Sequence, residues 1–178
     1  CRLYKANPDE IKAKTNLAKI SAQSFTWDKV ARKNITFVES EVCWQKNDPV
    51  IGWMSTWDSR CGIASYSKHL IDKLSHEVYI FSPINEDSPS GTQENIYPSW
   101  KLTSDQNNCF HSVEEHVIDL KISTLIIQFN YSFYNFSDLE IFIEKIITSD
   151  INVIIFLHST IDPTNHDDKK LEFLAPLF

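Results

Sequence analysis

Val50-Ile51-Gly52-Trp53-Met54-Ser55-Thr56-Trp57 is an apolar run that ends in a short polar turn, Asp58-Ser59-Arg60-Cys61-Gly62, and the turn opens an amphipathic segment over 63–74. That succession predicts a buried parallel strand handing over to its crossover helix. The chain holds only three glycines, against roughly seven per hundred residues in an average protein, and one of them sits at this handover. In open α/β sheets such a turn lies at the carboxyl edge, where ligands bind. Gly62 there allows close backbone approach and exposes the free N–H groups of the next helix to an anion or hydroxyl. A tight turn without a ligand is the competing explanation.

Downstream, the pattern repeats. Strands are expected at 50–57, 77–82, 124–129 and 151–157, with a short extended piece near 96–100 after a polar loop at 83–91. Helices are expected at 63–74, with Ile63, Tyr66, Leu70 and Leu74 inward, and from a Ser112 cap to 121, burying Val113, Val117 and Leu120. A third starts at Ser137 or Asp138 and covers 139–148, with Leu139, Phe142, Ile143, Ile146 and Ile147 inward. Continuous β-branched runs separated by amphipathic helices indicate a sheet covered on both faces. Right-handed crossovers then give an α/β fold, a doubly wound, mostly parallel Rossmann-like sheet.

Upstream, residues 1–43 read as two helices. Asn7-Pro8 supplies a cap and a first-turn proline, and Ile11, Ala18, Ala22 and Phe25 recur at helical spacing. Thr26 caps the second, in which Trp27, Val30, Ala31, Asn34 and Val38 form one stripe. These helices must pack either on the domain that follows or on one that precedes it. Residues 44–49, polar and closed by a proline, read as a linker, and 50–178 as the sheet domain. The chain lacks an initial methionine and ends just as a new amphipathic pattern begins at 170, which predicts a part of a longer polypeptide.

Composition narrows the class. The 178 residues carry a net charge of −7, with 42% hydrophobic and 23% charged residues, ordinary for a globular domain but not for a general nucleic-acid binder, which shows a basic face. No run approaches the roughly 20 apolar residues of a membrane span, and no signal peptide opens the chain. The four cysteines are scattered, with no zinc-site spacing, and read as reduced cytosolic thiols. Three Asn-x-Ser/Thr triplets, at Asn34, Asn130 and Asn135, read as chance matches.

Parallel topology places the residues after every strand on one edge. Asp58 to Gly62, Pro83, Gln128-Phe129-Asn130-Tyr131 and His158-Ser159-Thr160 therefore converge. His158 beside a glycine turn and a Gln/Asn pair is a candidate for substrate contact, although a lone histidine after a strand is more often a satisfied cap. There is no G-x-G-x-x-G, P-loop or G-x-S-x-G, and no D-x-D pair to hold a metal-bound pyrophosphate.

Trp53-Met54-Ser55-Thr56-Trp57 with Cys61-Gly62-Ile63-Ala64-Ser65-Tyr66 and Leu70 resembles the opening strand, glycine turn and first helix of GT-B glycosyltransferases of the family 4 type. His76-Glu77-Val78 continues the likeness. Leu125-Ile126-Ile127-Gln128-Phe129-Asn130 resembles that family's "hIQhey" strand, and Val153-Ile154-Ile155-Phe156-Leu157-His158-Ser159 its "vvvtlHs" strand. The Phe25-Thr26-Trp27-Asp28-Lys29-Val30-Ala31 stretch is similar to the family's closing "fsWd.va" helices, so the resemblance implies two transferase units in tandem with this chain across their junction. It implies the N-terminal, acceptor-side half of a retaining, metal-independent hexosyltransferase that takes a nucleotide sugar as donor substrate, with no separate cofactor. It assigns His158 to the donor sugar. Gly62, Arg60 and Cys61 fall near the acceptor and the donor phosphates, with Gln128, Asn130 and Ser159 as further substrate contacts. The partners implied are a carbohydrate or lipid-linked acceptor and a second Rossmann-like half, in the cytoplasm and, for a lipid-linked acceptor, peripheral to the membrane. That second half carries the family's basic clamp and E-x7-E element. Glu86 and Glu94 match E-x7-E by count alone, in a loop broken by Pro89 and Gly91, so this excerpt by itself should transfer little. The alternatives are a non-catalytic Rossmann-like interaction module in a polysaccharide-assembly protein and a different nucleotide-using Rossmann enzyme. Trp53, Trp57 and Trp100 could stack on sugars, with core packing the competing role.

Overall fold

The computed structural model describes residues 8–24, 26–42, 49–84, 94–102 and 109–177. The Asn7 cap, Phe25, most of the 44–49 linker, Cys1, Cys43 and most of the 83–91 loop with Glu86 lie outside the described residues.

Five strands form one sheet: β1 (Ile51–Met54), β2 (Val78–Pro83), β3 (Ile96–Trp100), β4 (Thr124–Phe129) and β5 (Asn152–Leu157). All pairings are parallel, in the order β3-β2-β1-β4-β5. This is the doubly wound α/β arrangement expected from the sequence. Ile51 stands level with Val78 on one side and Thr124 on the other, and Thr124 with Asn152. The strand order reverses direction at β1 and β4, the pair that flanks the switch point of such folds.

Alternation splits the sheet's side chains between two layers. Ile51, Trp53, Ile80 and Ile126 face a core shared with α2 (Trp27–Val42) and α3 (Gly62–Ile71). Met54, Phe81, Leu125, Ile127 and Phe129 face the other, shared with α4 (His111–Asp119), α5 (Phe136–Thr148) and Leu174 of the C-terminal 3-10 turns. Gly52 lies in the second layer because Phe81 crosses it: a Cβ there would meet Phe81 Cε2 at 2.7 Å and the Ile122 and Leu125 side chains at 3.1 Å. Trp100, fully buried, donates its Nε1–H to the Phe81 carbonyl at 2.9 Å. Trp53 is fully buried too, so neither tryptophan presents a face for a sugar to stack on, and core packing is their role. Trp57 is half-buried, with Lys68 Nζ 5.2 Å from its ring centre.

Several boundaries differ from the sequence expectation for local reasons. β1 stops at Met54 rather than 57 because the Ser55 hydroxyl turns to Ser67 Oγ, 2.8 Å away, and to the Thr56 carbonyl. The α3 helix ends at Ile71, and its buried face is Ala64, Ser67 and Leu70, with Leu74 beyond the helix. Ser112 lies inside α4, whose N-cap is Phe110. The cap of α5 is Asn135, whose Oδ1 accepts from the Asp138 N–H at 3.2 Å, so Ser137 and Asp138 are already helical. The earlier start brings Phe136 into the helix's buried face, while Ile147 stays exposed.

The helix α1 (Pro8–Ser24) precedes α2. Thr26 does cap α2, its Oγ1 accepting from the Lys29 N–H. Ala31, Ile35 and Val38 bury against the sheet domain, and full burial of an isoleucine or valine side chain is worth about 1.5–3 kcal/mol. Of the expected stripe, Trp27 stays about half exposed and leans on Tyr66 and His69, while Ile35 takes the inward place. The described side chains of α1, Ile11, Leu17 and Ile20 among them, are exposed. Among the described residues no helix is long and apolar enough to cross a membrane.

Candidate functional site

β4 delivers Gln128 and β5 delivers His158 to the α3 side of the sheet's carboxyl edge. Gln128 follows Ile126 by two residues on one strand face and is fully buried. His158 begins the loop after β5, its N–H held by the Phe129 carbonyl at 3.1 Å. The two side chains meet: His158 Nε2 lies 2.7 Å from Gln128 Oε1. An amide oxygen only accepts, so the Gln128 amide placed this way pairs with the Nε2–H tautomer of the ring. Burial pushes the imidazole's pKa below its ordinary value, so the neutral ring is favoured near pH 7.

This pair sits within a polar group enclosed by aromatic walls. The Tyr66 ring stands perpendicular to the imidazole, 5.2 Å between centres, and the Tyr66 hydroxyl accepts from Asn34 Nδ2 at 2.8 Å. Phe156 closes on Tyr66 and Trp53. Gln128 Nε2 is buried without a hydrogen-bond partner among the described residues. Leaving such a donor unmade costs about 1–3 kcal/mol, and buried orphans of this kind are uncommon enough to need a reason.

Gly62 is the first residue of α3, one turn before Tyr66. Its φ is not positive and a Cβ built on it would meet no atom within 4 Å. The turn itself therefore does not require glycine; Asp58 takes the left-handed conformation there, at φ 49°. Nothing in the described structure fills the space beside the Gly62 Cα. The N-cap of α3 is Cys61. Burial pushes the Cys61 thiol up, but the N–H groups of Ala64 and Ile63 and the Thr56 hydroxyl, 3.6 Å from Sγ, outweigh it and bring the thiol below its usual range. Cys61 and Cys109 are free thiols. Arg60 is exposed, beside Asp58, which pairs with Lys68 at 2.6 Å.

The remaining predicted residues stand apart from this group. The Asn130 side-chain oxygen accepts from both the N–H and the hydroxyl of Ser132, closing its own turn after β4. Ser159 Oγ reaches only the Ile161 carbonyl, at 3.5 Å. On the opposite layer the loops are tied by Asp162, which accepts from the Tyr131 hydroxyl at 2.6 Å and from the Leu171 N–H. The structure thus joins His158 directly to Gln128 and, through Tyr66, to the helix that Gly62 opens. It does not join Asn130 or Ser159 to them by any hydrogen bond. Sequence reading missed Tyr66, Asn34, Ser55 and Ser67 as polar members of this edge. Among the described residues no group of three or more His, Cys, Asp or Glu side chains is placed to hold a metal ion.

No family model, no curated protein and no solved structure matches this chain.

Proposed function

We propose that the chain is the acceptor-side half of a GT-B glycosyltransferase that moves a hexosyl unit from a nucleotide sugar to an acceptor hydroxyl with retention and without a metal. The observation that carries this reading is the half-buried His158 held on buried Gln128 at the carboxyl edge and set against Tyr66 of α3, the helix that Gly62 opens. The order β3-β2-β1-β4-β5 supports it, because the β1 and β4 ends flank a switch-point crevice. The sequence resemblance over roughly residues 50–165 supplies the choice of substrate.

In this reading His158 meets a hydroxyl of the donor sugar. The first-turn N–H groups of α3, of which those of Ile63 and Ala64 lie against the Cys61 sulfur, exchange that contact for the donor phosphates, where the leaving diphosphate gains charge. Fixed N–H groups stabilise such developing charge without reorganising. Gln128 holds the histidine, Arg60 and Cys61 flank the phosphate side, and Asn130 and Ser159 line the rim through their turns. A second Rossmann-like half in the same polypeptide, with the basic clamp, completes the site. The tandem arrangement, with 1–43 resembling the close of a preceding unit while α2 packs on this sheet, and a cytoplasmic location belong to the same proposal.

The test is transfer of labelled sugar by the full-length polypeptide carrying His158→Ala. Loss of transfer with an unchanged melting temperature supports the reading. Undiminished transfer sinks the catalytic role and leaves a non-catalytic Rossmann-like module as the better account.

A further inference from the structure

The histidine–glutamine pair is not held by the sheet alone. Gln128 fixes one nitrogen of the His158 ring, but a single hydrogen bond leaves the ring free to rotate about it. Tyr66 removes that freedom: its ring meets the imidazole edge-on at 90° and 5.2 Å. Tyr66 is in turn clamped on both sides. Phe156 packs edge-on against it, with 6.3 Å between ring centres, and Trp27 at 5.9 Å. Its hydroxyl accepts from Asn34 Nδ2 at 2.8 Å, across 32 residues of sequence and from a different element. Asn34 stands on α2 between the buried positions Ala31, Ile35 and Val38, so the packing of that helix fixes its amide.

The geometry points to Tyr66 as a positioning residue for His158, anchored by Asn34 of α2, that locks the imidazole in the Nε2–H form against Gln128. The helix α2 is thereby part of the site rather than a distant appendage. An edge-on aromatic wall excludes water from one side of the imidazole while offering no competing acceptor, which keeps Gln128 Oε1 as the acceptor for Nε2–H. Burial is what lowers the imidazole's pKa. What Nδ1 meets rests on the proposed transferase reading. The ring's orientation and tautomer do not.

The experiment is long-range 1H–15N NMR of the imidazole in the full chain, read as the tautomer and titration midpoint of His158. Tyr66→Leu, Tyr66→Phe, Asn34→Ala and the double Tyr66→Phe/Asn34→Ala variant are compared with the unaltered chain, with amide spectra confirming the fold. The unaltered chain is expected to show one tautomer, Nε2–H, and a midpoint below the ordinary histidine value. Tyr66→Leu is expected to populate both tautomers and raise the midpoint. Tyr66→Phe restores the ring but not the anchor, so it falls between. Asn34→Ala matches Tyr66→Phe, and the double variant adds nothing further. A Tyr66→Leu chain that keeps both the tautomer and the midpoint overturns the proposal, as does an Nδ1–H tautomer in the unaltered chain. If Tyr66→Leu fails to fold, Tyr66→Phe and Asn34→Ala spectra identical to the unaltered chain overturn it instead. Absence of sugar transfer alongside the expected spectra counts against the transferase reading alone.

Discussion

Replacing Gly52 and Gly62 by alanine, one at a time, applies the same single methyl to two ends of one strand–turn–helix unit and should change stability in opposite directions. At Gly52 the new Cβ would lie 2.7 Å from Phe81 Cε2 and 3.1 Å from the Ile122 and Leu125 side chains. The Phe81 ring is fully buried in a filled core, so it cannot simply swing away. Overpacking of a filled core typically costs about 1–3 kcal/mol. At roughly 2–4 °C per kcal/mol for a chain of this size, the melting temperature falls by roughly 2–12 °C. At Gly62 the backbone conformation suits any L residue and the space is open. Alanine there narrows the unfolded ensemble and stabilises by about 0.4–1 kcal/mol, which raises the melting temperature by roughly 1–4 °C. The assay is thermal unfolding by circular dichroism on the whole chain. Equal destabilisation by both substitutions would refute the reasoning, since it would mean that the fold itself needs glycine at the turn. The contrast also has a functional arm. A Gly62→Ala protein that is more stable yet loses sugar transfer marks the position as kept open for a ligand.

Asn135→Ala should cost about 1 kcal/mol by removing the α5 cap, whereas Ser137→Ala, already inside the helix, should stay within about 0.5 kcal/mol; urea unfolding separates the two. Trp100→Ala should cost about 3–5 kcal/mol, read the same way, because it empties a fully buried site and frees the Phe81 carbonyl. The depressed pKa of His158 adds stability that is complete above the unfolded histidine value of about 6.5 and is lost as pH falls through the lower folded value. The unaltered chain should therefore lose melting temperature relative to His158→Gln between pH 7.5 and pH 5, and a constant difference would contradict that sign.

The sheet was legible because its inner strands β1, β2 and β4 are short and buried. Residues 125–127 are an unbroken Leu-Ile-Ile run between Thr124 and Gln128, and β4 spans Thr124–Phe129. The β1 end and the α5 cap were less so, because each is decided by one side chain: Ser55 turning to Ser67, and Asn135 reaching Asp138. Gln128 and His158 could be placed on one edge from topology alone. Their hydrogen bond could not, since it depends on both falling on the α3 side of their strands. Tyr66 looked like one more inward helix residue, and nothing in its spacing signals a contact with Asn34 or with the imidazole. Asn130 carries the opposite lesson. A polar residue just past a strand has a turn of its own to close, and here Ser132 takes its side-chain oxygen.

The most direct measurement is a 1H–15N titration of the chain with nucleotide sugars and simple sugars at millimolar concentration. It would follow the Gln128 side-chain amide, the His158 backbone amide and the first-turn amides of α3. A ligand that binds where the carboxyl ends of β1, β4 and β5 meet should shift those signals together, and His158→Ala should abolish the shifts. Signals that stay still there while others move, along the outer edge of β5 or on α1, would contradict the account.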